Sequence, residues 1–397
     1  MEISELIPSK AGFRQRNYCD DCGKHLDLAF VDYNETISGV RIAIVYFPVL
    51  RCVPCGKDHL PDLSRLALLD CHERSRGAGS SLFVSTRRKR TNDFGFCKVK
   101  FLYEADDYFY IPGLFRRENQ GFLTPVFFNR EVLLKYDNSP SYQVQFASTT
   151  YGTIYTGDDY ISFGINKNGR VVMWLGDIAK LPEAEQYYLR SENVPSDHSL
   201  GSEFYDGQIE CVFTEASAED RLFKLRSAFV EAAFERFGKK IAHLDQEVMD
   251  LALSFNAPVV DTPKERRHVA DTLNKIYLES MDNAGLGRLL KAHGGDPKDL
   301  GSLKRLQALL QGALPREDIG ALLSPLYVLY DLRVAYSHLT TIERAQTVLT
   351  TVAERLEIAA DASLTTLYET LVQKMACSYE RLAELLSVET DAPATTC

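Results

Sequence analysis

The sequence predicts an α+β protein with several domains, and three observations support this prediction. A six-residue cysteine motif occurs twice near the N-terminus. Short segments rich in β-branched and aromatic residues, separated by turn residues, fill residues 76–214. From residue 215 onward glycines become rare and apolar residues recur with the 3.6-residue period of a helix. We therefore expect a cysteine-motif domain over 1–75, a β-rich domain over 76–214 and an α-helical bundle over 215–397.

The repeated motif predicts a metal site. It reads C-D-D-C-G-K from Cys19 to Lys24 and C-V-P-C-G-K from Cys52 to Lys57. Two such pairs, separated by a strand-like segment (37–50), have the spacing of a zinc ribbon, in which four thiolates surround structural Zn²⁺. The predicted ligands are Cys19, Cys22, Cys52 and Cys55. His59, Cys71 and His72 are nearby alternatives, but four better-spaced thiols already complete the site.

The middle region reads as β structure. Asn166-Lys167-Asn168-Gly169 is a good hairpin turn between two of its strands, and so many short strands predict a sandwich or a curled, barrel-like sheet. The predicted strands are Leu82–Ser85, Lys98–Tyr103, Tyr108–Ile111, Val126–Phe128, Val132–Tyr136, Tyr142–Ala147, Tyr160–Ile165, Arg170–Leu175 and Gln208–Phe213. Asp197, His198 and Glu203 form a polar cluster that is either a metal site or a turn with capping side chains.

The last region carries helix signals. Ser217 is an expected N-cap and Gly238 an expected C-terminal glycine. Thr262 to Glu265 forms a capping box with proline at the first helical position. Further helices are expected over about 298–311, 316–337 and 341–388, the last of them broken near 360–363, which together make a bundle of helices.

One helix of this bundle contains a motif associated with catalysis. Arg333 and His338 are separated by four residues in a helix that begins near Pro325. This pattern, followed by a loop and a long final helix, resembles the signature of the HEPN superfamily, helical-bundle domains found in many prokaryotic RNases of toxin and antiviral systems. The resemblance implies metal-independent RNA cleavage at a site shared by two protomers, with Arg333 and His338 as the catalytic pair.

The residue types suit such a reaction. The 2′-hydroxyl of RNA can attack its adjacent phosphate, histidine can move the proton near neutral pH, and arginine can hold the phosphate. We expect RNA as the substrate, a homodimer or higher oligomer as the active form, and Asp331 as a residue that orients the pair. The N-terminal domains would sense or recruit, with a phage component or another trigger bound by the β-rich domain.

Two features favour other interpretations. Arg288 and His293 have the same spacing, although His293 precedes two glycines and suits a helix C-terminus. Val334 follows Arg333 where the family often has Asn, Asp or His. The alternative function is therefore a non-catalytic zinc-ribbon binding protein whose helical domain only dimerises, and a weaker third is a metal-dependent hydrolase centred on Asp197, His198 and Glu203.

The net charge and the hydropathy of the chain limit the classes of partner that we expect. The net charge is −10, so any contact with nucleic acid is expected through local basic patches. The densest patch is Arg87, Arg88, Lys89 and Arg90, which otherwise would be an ordinary solvated loop. We find no signal peptide, and the most apolar early stretch (40–50) is too short to cross a bilayer. A cytoplasmic protein without membrane contact is expected.

Overall fold

The computed structural model describes residues 1–7, 15–157, 159–212, 216–339 and 341–387, and it confirms the α+β class. The chain divides into two compact units, Met1–Glu215 and Ala216–Cys397. Residues 213–215, where the sequence predicts the last change of domain, and the C-terminal residues 388–397 lie outside the described ranges.

The first unit begins with a long β-hairpin that carries both cysteine motifs at its base. Its strands pair antiparallel from Asp27–Arg51 to Ile37–Val40. Tyr46, at φ 61°, forms a bulge opposite the Val31–Tyr33 step, and the parallel strand β4 pairs with the N-terminal half of β2. The elements are α1 (Ile3–Leu6), β1 (Asp27–Ile37), β2 (Val40–Arg51), β3 (Asp58–His59), α2 (Asp62–Gly77) and β4 (Leu82–Thr86).

The rest of this unit surrounds one antiparallel sheet with the strand order β10-β5-β9-β8-β7-β6. Strands β5 to β10 thus pair in a single six-stranded sheet, flanked by short helices. These elements are α3 (Ala105–Tyr110), β5 (Pro125–Phe128), α4 (Leu134–Asn138), β6 (Gln143–Ser148), β7 (Tyr151–Thr156), β8 (Asp159–Ile165), β9 (Val171–Trp174), α5 (Leu175–Ile178), α6 (Glu183–Ser191), β10 (Asn193–Val194) and α7 (Glu203–Tyr205).

Several segments predicted as strands have other structure. Tyr108–Ile111 lies largely in α3, Val132–Tyr136 spans a 3₁₀ turn and α4, and Gln208 to Glu210 belongs to a π-helical turn. The stretch 98–103 has no regular structure. In the three helical segments the apolar side chains are buried, so tertiary packing overrides their β propensity.

One core joins the base of the hairpin to the six-stranded sheet. Cys19, Cys52 and Leu28 pack in the same buried cluster as Phe127 and Trp174. The ribbon is therefore part of the hydrophobic core of the first unit. A well-ordered conformation of its two cysteine loops supports the packing of the sheet.

The second unit is a bundle of helices around a large leucine-rich core. Ser217 and Thr262 accept hydrogen bonds from the backbone N–H groups three residues later, both at 3.1 Å, and Gly238 ends its helix at φ 67°. The helices are α8 (Ala218–Phe237), α9 (Asp245–Ser254), α10 (Pro263–Asn274), α11 (Asn283–Ala292), α12 (Ser302–Ala313), α13 (Ile319–Leu322), α14 (Ser324–Ser337), α15 (Ile342–Leu356) and α16 (Leu364–Ser387).

Candidate functional site

The two cysteine motifs fold into matching loops. In the first, the N–H of Gly23 donates to the carbonyl of Cys19, and in the second the N–H of Gly56 donates to the carbonyl of Cys52, both at 2.8 Å. Both glycines have φ 66°, a left-handed conformation that costs glycine little. The same backbone hydrogen bonds at the same spacing turn each pair of thiols toward one point.

The four thiols meet where the two loops face each other. The sulfur atoms of Cys19, Cys22, Cys52 and Cys55 all lie within 4.8 Å of one another, and Cys22 Sγ lies 3.5 Å from Cys52 Sγ. A tetrahedral ion with metal–sulfur bonds of about 2.3 Å would hold its sulfurs roughly 3.8 Å apart. The cluster can therefore hold a metal ion, while His59, Cys71 and His72 are not part of it.

The loop backbone prepares some of these sulfurs for ionisation. Backbone N–H donors, from Asp21 foremost, lower the pKa of Cys19, and the N–H of Lys24 lowers the pKa of Cys22 to about 7. Hydrogen bonds that the Cys55 thiol donates to its neighbours, to Cys22 foremost, raise the pKa of Cys55 to about 12. Metal binding must therefore displace at least one proton from the cluster, since only thiolates are ligands. Lys57 forms an ion pair with Asp21 at 2.6 Å, which links the two loops.

The second candidate site lies at the C-terminal end of α14. Arg333 is about one-third exposed, and His338, which follows the helix, is exposed. The guanidinium of Arg333 lies 3.0 Å from Glu279 and 3.7 Å from Asp271. Asp271 also accepts a hydrogen bond from Ser337 at 2.7 Å. Asp271 on α10 and Glu279 in the turn after α10 thus hold Arg333. Asp271 also holds Ser337, the residue just before His338.

A further arginine near this site was missed by sequence reasoning. Arg267 on α10 is exposed, and its Nε donates to the backbone carbonyl of Tyr336 at 3.2 Å. The signal that could have found it is the Arg266-Arg267 pair within the capping-box helix. By contrast, Asp331 pairs with Arg355 at 3.1 Å and not with the candidate catalytic residues.

The earlier Arg-x-x-x-x-His match has local partners. Arg288 lies 3.7 Å from Asp282, and His293 Nδ1 donates to the carbonyl of Leu289 at 2.9 Å. His293 caps the C-terminus of α11, as its position directly before two glycines indicated. Its imidazole also packs edge-on against Phe237, so the contacts of this histidine are those of a helix end.

Three of the four residues in the basic patch form contacts within the chain. Arg87 binds both carboxylate oxygens of the fully buried Asp106. Arg90 stacks over the Phe109 ring at 4.2 Å, and Lys89 pairs with Glu104 at 2.6 Å. Arg88 is exposed, which leaves it as the member of the patch most available to a nucleic acid.

The polar cluster in 196–203 does not converge on one point. Asp197 accepts hydrogen bonds from Asn166 and Asn168, and Glu203 accepts from Thr150. His198 instead binds the buried Asp107, with Nδ1 2.6 Å from the carboxylate. Within the described ranges the four cysteines form the only cluster with metal-ligand geometry, so the hydrolase interpretation lacks its metal site.

Comparison with known proteins does not assign this chain to a family. No protein-family model, curated protein or solved structure matches this chain. Among the described helices, none has the length and apolar character needed to cross a bilayer. Inferences about function therefore depend on the two sites themselves.

Proposed function

We propose that this protein is a metal-independent endoribonuclease of the HEPN type, with Arg333 and His338 as its catalytic pair. The observation that carries the proposal is the exposed imidazole of His338 directly after α14. Arg333 lies on that helix, and Arg267 contacts its last turn through the carbonyl of Tyr336. An exposed histidine at the end of a helix that carries an anchored arginine has the residue types needed to bind a phosphodiester and move its protons.

The proposed reaction needs two such pairs. One imidazole removes the proton of the ribose 2′-hydroxyl, and the hydroxyl oxygen attacks the adjacent phosphorus. A second imidazole protonates the departing 5′-oxygen, while guanidinium groups stabilise the charge on the phosphoryl oxygens. One chain supplies one histidine of this kind, so we propose a homodimer in which two copies of α14 face a shared groove.

Exposed apolar residues beside His338 support pairing of two chains. Leu339 is 107 % exposed and Ile342 is 84 % exposed, and apolar side chains that lie together at a surface are candidates for burial against a partner. Both follow the candidate catalytic histidine within four residues of the chain. A second copy of the chain that covers them would bring its own His338 close to the first.

For the first unit we propose a structural role for Zn²⁺ and a role in sensing or recruitment. Four cysteine sulfurs within tetrahedral reach favour Zn²⁺ over harder ions. Cys19, Cys22, Cys52 and Cys55 would hold it, and it would stabilise the core that joins the ribbon to the sheet. We propose that this unit recognises a phage component or another trigger and releases the nuclease from a silent state.

A mixed RNA pool tests the nuclease proposal directly. We expect cleavage that persists in EDTA and disappears in His338→Ala, while His293→Ala, the matched control at the other helix end, keeps full activity. Sedimentation of both variants should show the same oligomer. If cleavage is absent with every trigger tried although the dimer is intact, the nuclease proposal fails.

One observation favours the second candidate function, a non-catalytic binding protein whose bundle only dimerises. The charge of Arg333 is already matched by Glu279 and Asp271, and Val334 offers no polar group to the site. In that case Arg333→Ala would loosen α14 without affecting any RNA, because the arginine would serve only to hold two helices together.

A further inference from the structure

A cavity of about 540 Å³ lies on the six-stranded sheet of the first unit, away from the cysteine cluster and within that unit alone. Strands β7 to β9 and the segments around α4, α5 and α6 supply its walls. This volume is within the range of small-molecule sites in proteins. No part of the proposed ribonuclease reaction uses it.

The walls are rich in aromatic rings. Phe122, Tyr136, Tyr142, Tyr160 and Trp174 all line the cavity. Two of the protein's own lysines show that such rings accept cations here: Lys180 Nζ lies 5.1 Å from the Phe122 ring centre, and Lys135 Nζ lies 5.4 Å from that of Tyr142. An ammonium group over an aromatic face is attracted by the negative charge of the ring face.

The charged groups of the walls are mostly acidic. Asp159, Asp177 and Glu185 line the cavity with Lys180 as the accompanying cation. Asp177 and Lys180 pair at 2.8 Å, so their charges largely cancel. Glu185 is likewise paired, with Lys135 at 2.6 Å. Among the described wall residues, Asp159 is therefore the carboxylate left without a cation partner, and its charge favours cations over phosphates and carboxylates.

Glu185 fixes the aromatic wall of the cavity in place. Its carboxylate is mostly buried and accepts hydrogen bonds from Lys135, Tyr136 and Tyr142 at 2.6 to 3.1 Å. Although burial opposes ionisation, these donors hold the pKa of Glu185 below its ordinary value. The carboxylate and its tyrosines form a fixed wall, whereas Asp159 and Tyr160 on β8 are exposed at the rim.

We propose that this cavity binds an organic cation, a substituted ammonium group with an apolar body. The positive nitrogen packs against the aromatic rings, with Asp159 as its counter-charge at the rim, and the apolar body fills the space above the sheet. This inference does not depend on the ribonuclease proposal.

The cavity contains its own reporter. Trp174 is the single tryptophan of the chain and lines the cavity, so a change in tryptophan emission reports on this site. Choline is the probe, and its neutral carbon isostere, with a tert-butyl group in place of the trimethylammonium, has the same shape without the charge. We expect a saturable change with choline and binding of the isostere that is about tenfold weaker.

Variants at the exposed rim separate binding from folding. Tyr160 is 67 % exposed, so its replacement should leave the fold intact. We expect Tyr160→Leu and Asp159→Asn each to weaken choline binding several-fold, and Tyr160→Phe to retain it because the ring remains. The proposal is overturned if choline up to millimolar concentrations causes no saturable change in emission or heat. It is equally overturned if the isostere binds as well as choline, or if adenosine monophosphate binds better than both.

Discussion

The guanidinium of Arg333 lies 3.0 Å from the carboxylate of Glu279, a residue of the π-helical turn that continues α10. Asn274 donates to the same carboxylate at 3.0 Å. Glu279 is therefore held in place, and it holds Arg333 against α10. A phosphate that approaches Arg333 must compete with this carboxylate for the guanidinium.

Replacement of Glu279 by glutamine tests this competition. If Arg333 binds the scissile phosphate, Glu279→Gln should increase RNA affinity and cleavage several-fold, because the guanidinium loses the nearer of its two carboxylate partners. Stability should change by no more than about 1 kcal/mol, since both groups are partly exposed. Cleavage assays and urea unfolding measure the two effects. Glu354→Gln makes the same charge change on an exposed face of α15, and an equal increase there would mean that only net charge matters.

The cysteine cluster predicts about one zinc ion per chain in freshly prepared protein. Cys22→Ser should lose most of this zinc and lower the thermal midpoint strongly, because structural zinc sites contribute roughly 10–16 kcal/mol of apparent binding energy to folding. Metal analysis and calorimetry provide the measurement. Cys211→Ser, at an exposed cysteine outside the cluster, should retain the metal. Wild-type protein without bound metal would contradict the assignment.

The cysteine cluster could be predicted because its ligands are local in sequence: two residues between thiols fix each loop, and the glycine fixes its turn. The helix caps at Ser217 and Thr262 were readable for the same reason. The buried carboxylates of Asp106 and Asp107 were not. Their partners Arg87 and His198 lie 19 and 91 residues away along the chain, so only the tertiary fold brings them together.

The same limit explains the errors in the β region. The segment that begins at Tyr108 has the composition of a strand, yet it completes α3, whose Asp106 and Asp107 pair with Arg87 and His198 on other parts of the chain. β7 was missed because Gly152 and polar residues interrupt the strand pattern. A sequence pattern reports which surfaces are apolar, whereas the packing that overrides β propensity here depends on contacts distant in sequence.

The Asp107–His198 pair predicts a pH dependence of the first unit. Burial alone would lower the pKa of His198, but hydrogen bonding to Asp107 and its charge raise it above the ordinary value. A histidine whose pKa is raised on folding stabilises the protein fully below the unfolded pKa of about 6.5 and loses that contribution as the pH rises through the folded value. Stability should fall over this window by about 1.4 kcal/mol for each unit by which the pKa is raised.

Urea unfolding at a series of pH values, followed by Trp174 emission, measures this dependence. His198→Gln keeps a hydrogen-bond donor but cannot titrate, so its stability should lack the fall above about pH 6.5. Lys89 and Glu104 also act on His198, and Glu104→Gln serves as a control for their smaller contribution. A His198→Gln variant with the same pH profile as the parent would show that other groups cause it.

Arg87 and Arg88 are neighbours in the basic patch, but the structure gives them opposite roles. The Arg87 side chain is 13 % exposed and binds Asp106, which is fully buried. Arg87→Ala leaves that carboxylate with only Arg90, at 3.9 Å, and should cost roughly 3–5 kcal/mol, the range for removal of one partner of a buried ion pair. Arg88→Ala removes an exposed side chain and should change stability by no more than about 0.5 kcal/mol.

Binding of labelled RNA at several salt concentrations separates the two roles. If the patch contacts the phosphate backbone through its exposed side chain, Arg88→Ala should weaken binding for all sequences and reduce the slope of log affinity against log salt by roughly one. Arg87→Lys, which keeps the charge but cannot bind Asp106 through two nitrogens, should lose stability with little change in this slope. A stable Arg87→Ala variant with impaired RNA binding would place Arg87 on the nucleic-acid surface and refute its structural role.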